Sequence, residues 1–345
     1  MQYITLITRH HDGFSLWDTK MSEWKITNTP YKKDIVKQIA DECHQQGIKL
    51  FFYYSLLDWY RSDYQYETGK TGKGTGRTQK SDWPSYINFM KGQLTELLTN
   101  YGEIAGIWFD GHWDQLDNDH DKTLKPKVDW KYDEIYGLIH RLQPHCLIGN
   151  NHHLLPLPGE DFQMFEKDLP GFNTTGFGGA AVSRLPLETC ETTNDSWGFN
   201  ITDRNYKSVK SLVQYLVKAS GYGANFLLNI GPMPNGQIQP EFTERLEGMG
   251  DWVKEYGETI YGTKPGFIKP QAWGAVTEKG NRVFIHLLSN TEEKLLLKIP
   301  YKIKTARTYK EKLPVKFQVI NDGYIVVDTK NLPLQEFDTI LELTY

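Results

Sequence analysis

Apolar positions over the first three-quarters of the chain follow two rhythms in turn. Short, nearly continuous apolar runs at 3–8, 48–54, 104–109, 146–149, 187–192 and 225–230 predict buried strands. The segments 33–46, 85–99, 131–142, 206–219 and 240–256 carry apolar residues at helical spacing instead. Asn205 and Ser208 stand before Val209, Leu212 and Val213 as helix-start residues, and Gly221 and Gly223 close that segment. Alternation of this kind builds a parallel sheet with crossover helices. After Tyr261-Gly262-Thr263 the helical rhythm stops. Alternating runs at 272–277, 283–289, 294–299, 317–320, 324–327 and 339–343 are separated by turn signals such as Lys279-Gly280-Asn281 and Asn321-Asp322-Gly323, which predicts a small antiparallel β-sandwich.

Polar residues gather just after the predicted strands: His10 and His11, Ser55 and Asp58, Asp110, Asn150 to His153, Asn194 and Asp195. Loops at the carboxyl ends of barrel strands carry the sites of (β/α)8 enzymes, although an open doubly wound sheet also binds ligands at strand ends. The expected architecture is an α/β chain: a (β/α)8-type, TIM-like barrel over 1–262, then a C-terminal antiparallel β-sandwich over 263–345. Six strand–helix units are two short of a closed barrel, and the chain moves from Met1-Gln2 straight into an apolar run.

Composition narrows the function. A formal net charge of -4 with interspersed signs gives no basic stripe for nucleic acid. No apolar run approaches the ~20 residues of a membrane span. Cys43, Cys146 and Cys190 lack zinc or disulfide-framework spacing and read as buried thiols. Gly69 to Gly76 misses the phosphate-loop pattern and reads as a mobile surface loop. Aromatic residues make up 13% of the chain, with ten tryptophans, many beside polar residues. Sugar rings stack their C–H faces on such side chains while polar groups hold their hydroxyls.

Asp110 ends the strongly apolar run Gly106-Ile107-Trp108-Phe109-Asp110-Gly111. A carboxylate so placed either caps the following loop or is used chemically, because desolvation must be compensated. Retaining glycoside hydrolysis needs a second carboxyl about 5 to 5.5 Å away as proton donor. Glu160, Asp161, Glu166, Asp168, Glu188 and Glu191 fall in the right part of the chain, with Glu166 read in a long loop and Glu188 in a strand; spacing leaves these two open. The His10-His11 pair admits core packing, sugar binding or metal ligation. Contiguous residues on an extended strand point to opposite faces, which makes the metal clamp the poorest of the three.

These segments resemble the family 29 glycoside hydrolases, the retaining α-L-fucosidases, over nearly the whole chain. The resemblance rests on Thr8-Arg9-His10-His11-Asp12-Gly13-Phe14 with Trp17-Asp18, Phe52-Tyr53-Tyr54-Ser55 with Asp58-Trp59, and Ile107-Trp108-Phe109-Asp110-Gly111. It continues through Leu187-Glu188-Thr189-Cys190, Ser196-Trp197-Gly198-Phe199, Leu227-Leu228-Asn229-Ile230-Gly231-Pro232 and Gly257-Glu258-Thr259-Ile260-Tyr261-Gly262-Thr263. The resemblance implies an exo-acting enzyme that removes terminal α-L-fucose by double displacement, with Asp110 as nucleophile, Glu166 as acid/base, and no cofactor or metal. It implies fucose contacts from His10, His11, Tyr54 and Trp108, with Trp113 and Trp197 as further walls. An arginine often found after the fourth strand has no counterpart at Asn150-Asn151-His152-His153, and His152 is expected to take over part of its contact. The implied partners are fucosylated oligosaccharides or glycoconjugates, and the implied location is periplasmic, secreted or lysosomal. The family's opening strand and next unit have no counterpart here, so the resemblance implies a barrel that lacks its first strands through N-terminal truncation. The competing expectations are a non-catalytic fucose-binding protein, because of those missing strands, and a metal-dependent hydrolase using the histidine pair. Oligomeric state is not legible in the chain.

Overall fold

The computed structural model describes residues 1–117, 125–176, 181–289, 293–321 and 323–345. These fall into two compact units, Met1–Glu166 with Gly171–Pro186, and Lys167–Pro170 with Leu187–Tyr345.

The first unit holds β1 (Tyr3–Arg9), α1 (Ile35–Gln46), β2 (Lys49–Ser55), α2 (Trp83–Thr99), β3 (Gly106–Asp110), α3 (Tyr132–Leu142), β4 (Leu147–Asn150) and β5 (Gln163–Glu166). The strands β1-β2-β3-β4 form one sheet in that order, all pairs parallel. Parallel pairing follows because each return passes through a helix started and stopped by local chemistry. Asp34 caps α1 by accepting from the Lys37 amide, and Gly47 ends it at φ 68°. Asp82 caps α2 by accepting from the Ser85 amide. One sheet face, with Phe52, Tyr54, Ile107, Phe109 and Ile148, packs on Val36, Ala40, Leu94, Ile135 and Ile139 of the helices. Side chains alternate along a strand, so Tyr53 and Ser55 of β2 share the other face with Trp108 and Asp110 of β3, their partners in register.

The strand β5 departs from the sequence expectation. Glu166 is its last residue and does not lie in a long loop. The apolar residues of Phe162-Gln163-Met164-Phe165-Glu166 were the available signal, with Phe162, Met164 and Phe165 all buried. Four residues between irregular segments give too short a pattern to separate from a loop.

The second unit begins with β6 (Leu187–Thr192), α4 (Val209–Gly221), β7 (Ala224–Asn229) and α5 (Pro240–Tyr256), with β6 and β7 parallel. Ser208 caps α4 through the Ser211 amide, three residues into the helix expected from 206. Thereafter come β8 (Lys264–Pro265), β9 (Gly274–Lys279), β10 (Arg282–Leu287), β11 (Lys294–Lys298), β12 (Thr305–Thr308), β13 (Phe317–Asn321), β14 (Tyr324–Asp328) and β15 (Thr339–Thr344). They make two antiparallel sheets, β12-β15-β10-β9-β8 and β11-β14-β13. Val283, Ile285, Leu341 and Leu343 of one sheet share a core with Leu295, Leu297, Ile325 and Val327 of the other. Gly280, at φ 59°, turns β9 into β10 as its sequence suggested. The second expected turn includes Asp322, which lies outside the described residues. All three cysteines are buried. No described helix is long and apolar enough to cross a membrane. The chain is thus α/β with a C-terminal β region.

Candidate active site

Asp110 closes β3, and Gly111 follows at φ 99°, where an added Cβ would lie 2.7 Å from the Leu57 Cβ. Glycine there lets the chain turn against Leu57, a packing need. The turn presents the Gly111 amide to Asp110 Oδ1 at 2.8 Å. Tyr53 donates its hydroxyl to Asp110 Oδ2 at 2.7 Å. Burial, followed by the neighbouring Asp110 charge, pushes the Tyr53 phenol well above its usual range, so it stays protonated and donates. Asp110 keeps 13% of its side chain exposed.

The amide nitrogen of Asn151 donates to Glu166 Oε2 at 2.7 Å and reaches Asp110 Oδ1 at 3.4 Å. Because one nitrogen reaches both, these carboxylate oxygens lie no more than roughly 6 Å apart, a bound that accommodates the ~5–5.5 Å used in retaining glycoside hydrolysis. His153 Nε2 sits 3.4 Å from the same Glu166 oxygen. Among the other candidate acids, Glu160 is bonded to His152 and Tyr136, and Asp161 to His140 and the Ile148 amide. Asp168, Glu188 and Glu191 belong to the second unit.

His10 and His11 do not point apart, because β1 ends at Arg9 and the pair lies in the turn beyond it. The His10 ring stacks on Tyr53 with centroids 5.2 Å apart, and loss of water lowers its pKa against the pull of Asp110 and Asp12. His11 Nδ1 contacts Ser55 Oγ at 2.7 Å, and Ser55 in turn donates to the Leu57 carbonyl at 2.6 Å. Ser55 has one proton and has spent it, so His11 Nδ1 is the donor and neutral His11 holds a bare Nε2. That nitrogen lies 3.6 Å from Asp110 Oδ2. Burial holds the His11 pKa down at about 4, with Asp110 opposing. Such an Nε2 accepts a sugar hydroxyl. One ligand atom each from His10, His11 and Asp110 also fits within 4.8 Å, close enough for a metal ion.

Trp108 stacks on Tyr53 at 5.3 Å and 23°, and Trp113 meets His11 edge-on at 5.6 Å. Two expected contacts fall elsewhere. Tyr54 is fully buried on the helix side of β2 and donates to Gln93 Oε1 at 2.9 Å, and it is Tyr53 that faces Asp110. His152 is turned to Glu160 at 2.9 Å, while His153, at φ 60°, faces Glu166. Trp197 lies in the second unit, 40% exposed, with Lys167 Nζ 5.2 Å from its ring centroid. The loop from Gly69 is anchored at its start, since Thr71 donates to Asp114 Oδ1 through both its amide and its hydroxyl.

Two carboxylates joined through an amide and walled by aromatic rings are the constellation of a glycoside hydrolase. Residues 1–258 match the family model described as alpha-L-fucosidase, and the chain belongs to that family. It is similar to alpha-L-fucosidase isoenzyme 1 of Paenibacillus thiaminolyticus, with 32% identity and a TM-score of 0.82 over 100% of this chain and 83% of that one. An alpha-L-fucosidase of Bacteroides thetaiotaomicron, solved as a trapped covalent intermediate in complex with 2-fluoro-fucosyl fluoride, shares the fold at 24% identity. Its TM-score is 0.81 over 100% of this chain and 78% of that one. Among curated sequences, the alpha-L-fucosidase of Dictyostelium discoideum is 26% identical over 270 residues, which is 76% of this chain and 53% of that protein. That of Branchiostoma floridae is 28% identical over 274 residues, 76% of this chain and 55% of that protein. The chain spans about half the length of these curated relatives.

Proposed function

We propose that this chain carries the catalytic centre of an exo-acting retaining α-L-fucosidase that removes terminal α-L-fucose from oligosaccharides or glycoconjugates. The observation that carries this reading is the Asn151 amide, which holds Asp110 and Glu166 at a spacing suited to double displacement. Asp110 attacks the anomeric carbon as protonated Glu166 gives its proton to the departing oxygen. The covalent fucosyl-enzyme is then opened by a water whose proton returns to Glu166, and two inversions give net retention. His10, His11, Tyr53, Trp108 and Trp113 bind the sugar in this scheme, His11 through its bare Nε2. The covalent intermediate trapped in the Bacteroides thetaiotaomicron enzyme supports the same chemistry for this chain.

The finer architecture belongs to this reading. We take 1–262 as a catalytic domain of (β/α)8-barrel type and 263–345 as a β-sandwich. The end of the family match at 258 and the change from helices to antiparallel strands after Tyr256 support that boundary.

Reaction with 2-fluoro-α-L-fucosyl fluoride followed by peptide mass spectrometry tests the proposal, with the label expected on Asp110. Turnover of a fucoside with the label elsewhere removes Asp110 as nucleophile, and fucose binding without any turnover favours a non-catalytic sugar-binding protein. The His10–His11–Asp110 cluster supports a second reading, a metal-assisted hydrolase. Activity that disappears on dialysis against a chelator and returns with a divalent metal would select it.

A further inference from the structure

Three aromatic side chains outside the carboxylate pair form an open stack. Trp24 lies face to face with Tyr60, centroids 5.1 Å apart and 16° between planes, and Phe14 meets Trp24 edge-on at 4.9 Å. Tyr60 is 54% exposed and Trp24 41%, which the apolar core does not explain. Their position follows from two interlocked loops at the carboxyl ends of β1 and β2. The Trp59 amide donates to the His11 carbonyl at 2.7 Å, and the Trp24 indole donates to the Asp12 carbonyl at 3.2 Å. Asp58 Oδ1 accepts from the amides of Tyr60 and Arg61, and Gly13 packs so tightly on that carboxylate that a Cβ would come within 2.6 Å of it. The stack is therefore built in place.

It also shares its two loops with the proposed catalytic centre. His11 contacts Asp110, Trp59 meets the His11 ring edge-on at 5.5 Å, and Tyr60 is the next residue. The loops that hold His11 and Trp59 beside Asp110 thus also carry the exposed rings of Trp24 and Tyr60. An exo-acting enzyme buries the sugar it removes and leaves the rest of the substrate outside. The ligand for such rings is a pyranose, whose C–H face matches an exposed ring and whose hydroxyl rim stays in water.

We propose that Trp24 and Tyr60, braced by Phe14, form a stacking platform for the sugar to which fucose is attached. This rests on the fucosidase reading and adds a leaving-group site to it. The platform selects glycans whose second residue is a pyranose over fucosides with a small leaving group.

The test measures kcat/KM for the best-cleaved fucosyl disaccharide and for α-L-fucosyl fluoride, which has no second sugar, in wild type, Trp24→Ala, Trp24→Phe and Tyr60→Ala. The disaccharide-to-fluoride ratio is expected to fall about tenfold in each alanine variant, chiefly through KM, and to recover in Trp24→Phe. Tyr60 is more than half exposed, so its alanine variant keeps the test informative should Trp24→Ala fold poorly. An unaltered ratio in folded Tyr60→Ala removes the platform alone. Wild-type protein that hydrolyses neither substrate removes the fucosidase reading, and this one with it.

Discussion

Tyr53 and Asp110 meet across two adjacent parallel strands, the phenol hydroxyl 2.7 Å from Oδ2, with Tyr53 two residues before Ser55, the register partner of Asp110. A protonated phenol held against a carboxylate orients it, which serves the nucleophile role proposed for Asp110.

Replacing Tyr53 with Phe is expected to lower kcat for an aryl fucoside roughly 10- to 100-fold, the worth of one hydrogen bond to a charged group. Tyr54→Phe is expected to leave kcat near wild type and to cost about 1 kcal/mol of stability through its lost bond to Gln93. Steady-state kinetics and thermal melts of the two variants separate the roles.

Glu166→Ala should penalise substrates according to their leaving groups. Fluoride departs with little protonation, so fucosyl fluoride is expected to lose at least ~100-fold less activity than a natural disaccharide. Equal losses on both substrates would remove Glu166 as proton donor.

Asn151→Ala deletes the donor shared by the two carboxylates. The rate of covalent labelling by 2-fluoro-α-L-fucosyl fluoride is expected to fall about tenfold or more while the melting temperature shifts little, since Asp110 and Glu166 each keep an exposed fraction that water can solvate when the buried amide is removed. A large loss of stability with unaltered labelling would make Asn151 a structural residue only.

The depressed His11 pKa makes stability depend on pH. The folded value is about 4 against a usual 6.5, so the unfolded chain binds the proton more readily. The contribution of neutral His11 is fully present above pH 6.5 and is lost as pH falls towards 4. Melting temperatures across that window should fall more steeply for wild type than for His11→Asn. Parallel curves would contradict the assignment.

Arg9 is buried and pairs with Asp58, the carboxylate that Gly13 packs against and that caps the backbone at Tyr60 and Arg61. Arg9→Met strands that carboxylate without its cation and is expected to cost ~3–5 kcal/mol. Denaturant melts read the loss, and the double variant Arg9→Met/Asp58→Asn should recover part of it.

The sequence by itself determined much of this protein. Continuous apolar runs and helical spacing placed the parallel strands and helices, and Asp110 stood out because a lone carboxylate ends an apolar strand. Of the C-terminal strands, β11 and β14 are buried on one face and write a period of two into the chain, while β9, β10 and β15 are buried on both. Only the tertiary structure decided between neighbours. Tyr53 and Tyr54 are equivalent in composition and pattern, yet strand register sends one to Asp110 and the other to Gln93. The end of β1 at Arg9 brings His10 and His11 together, where an extended strand would have parted them. A left-handed residue at His153 turns that ring to Glu166 and leaves His152 with Glu160. Which side chain faces a site depends on where a strand stops and which residue it pairs with, and pairing partners distant in sequence leave no trace in local periodicity.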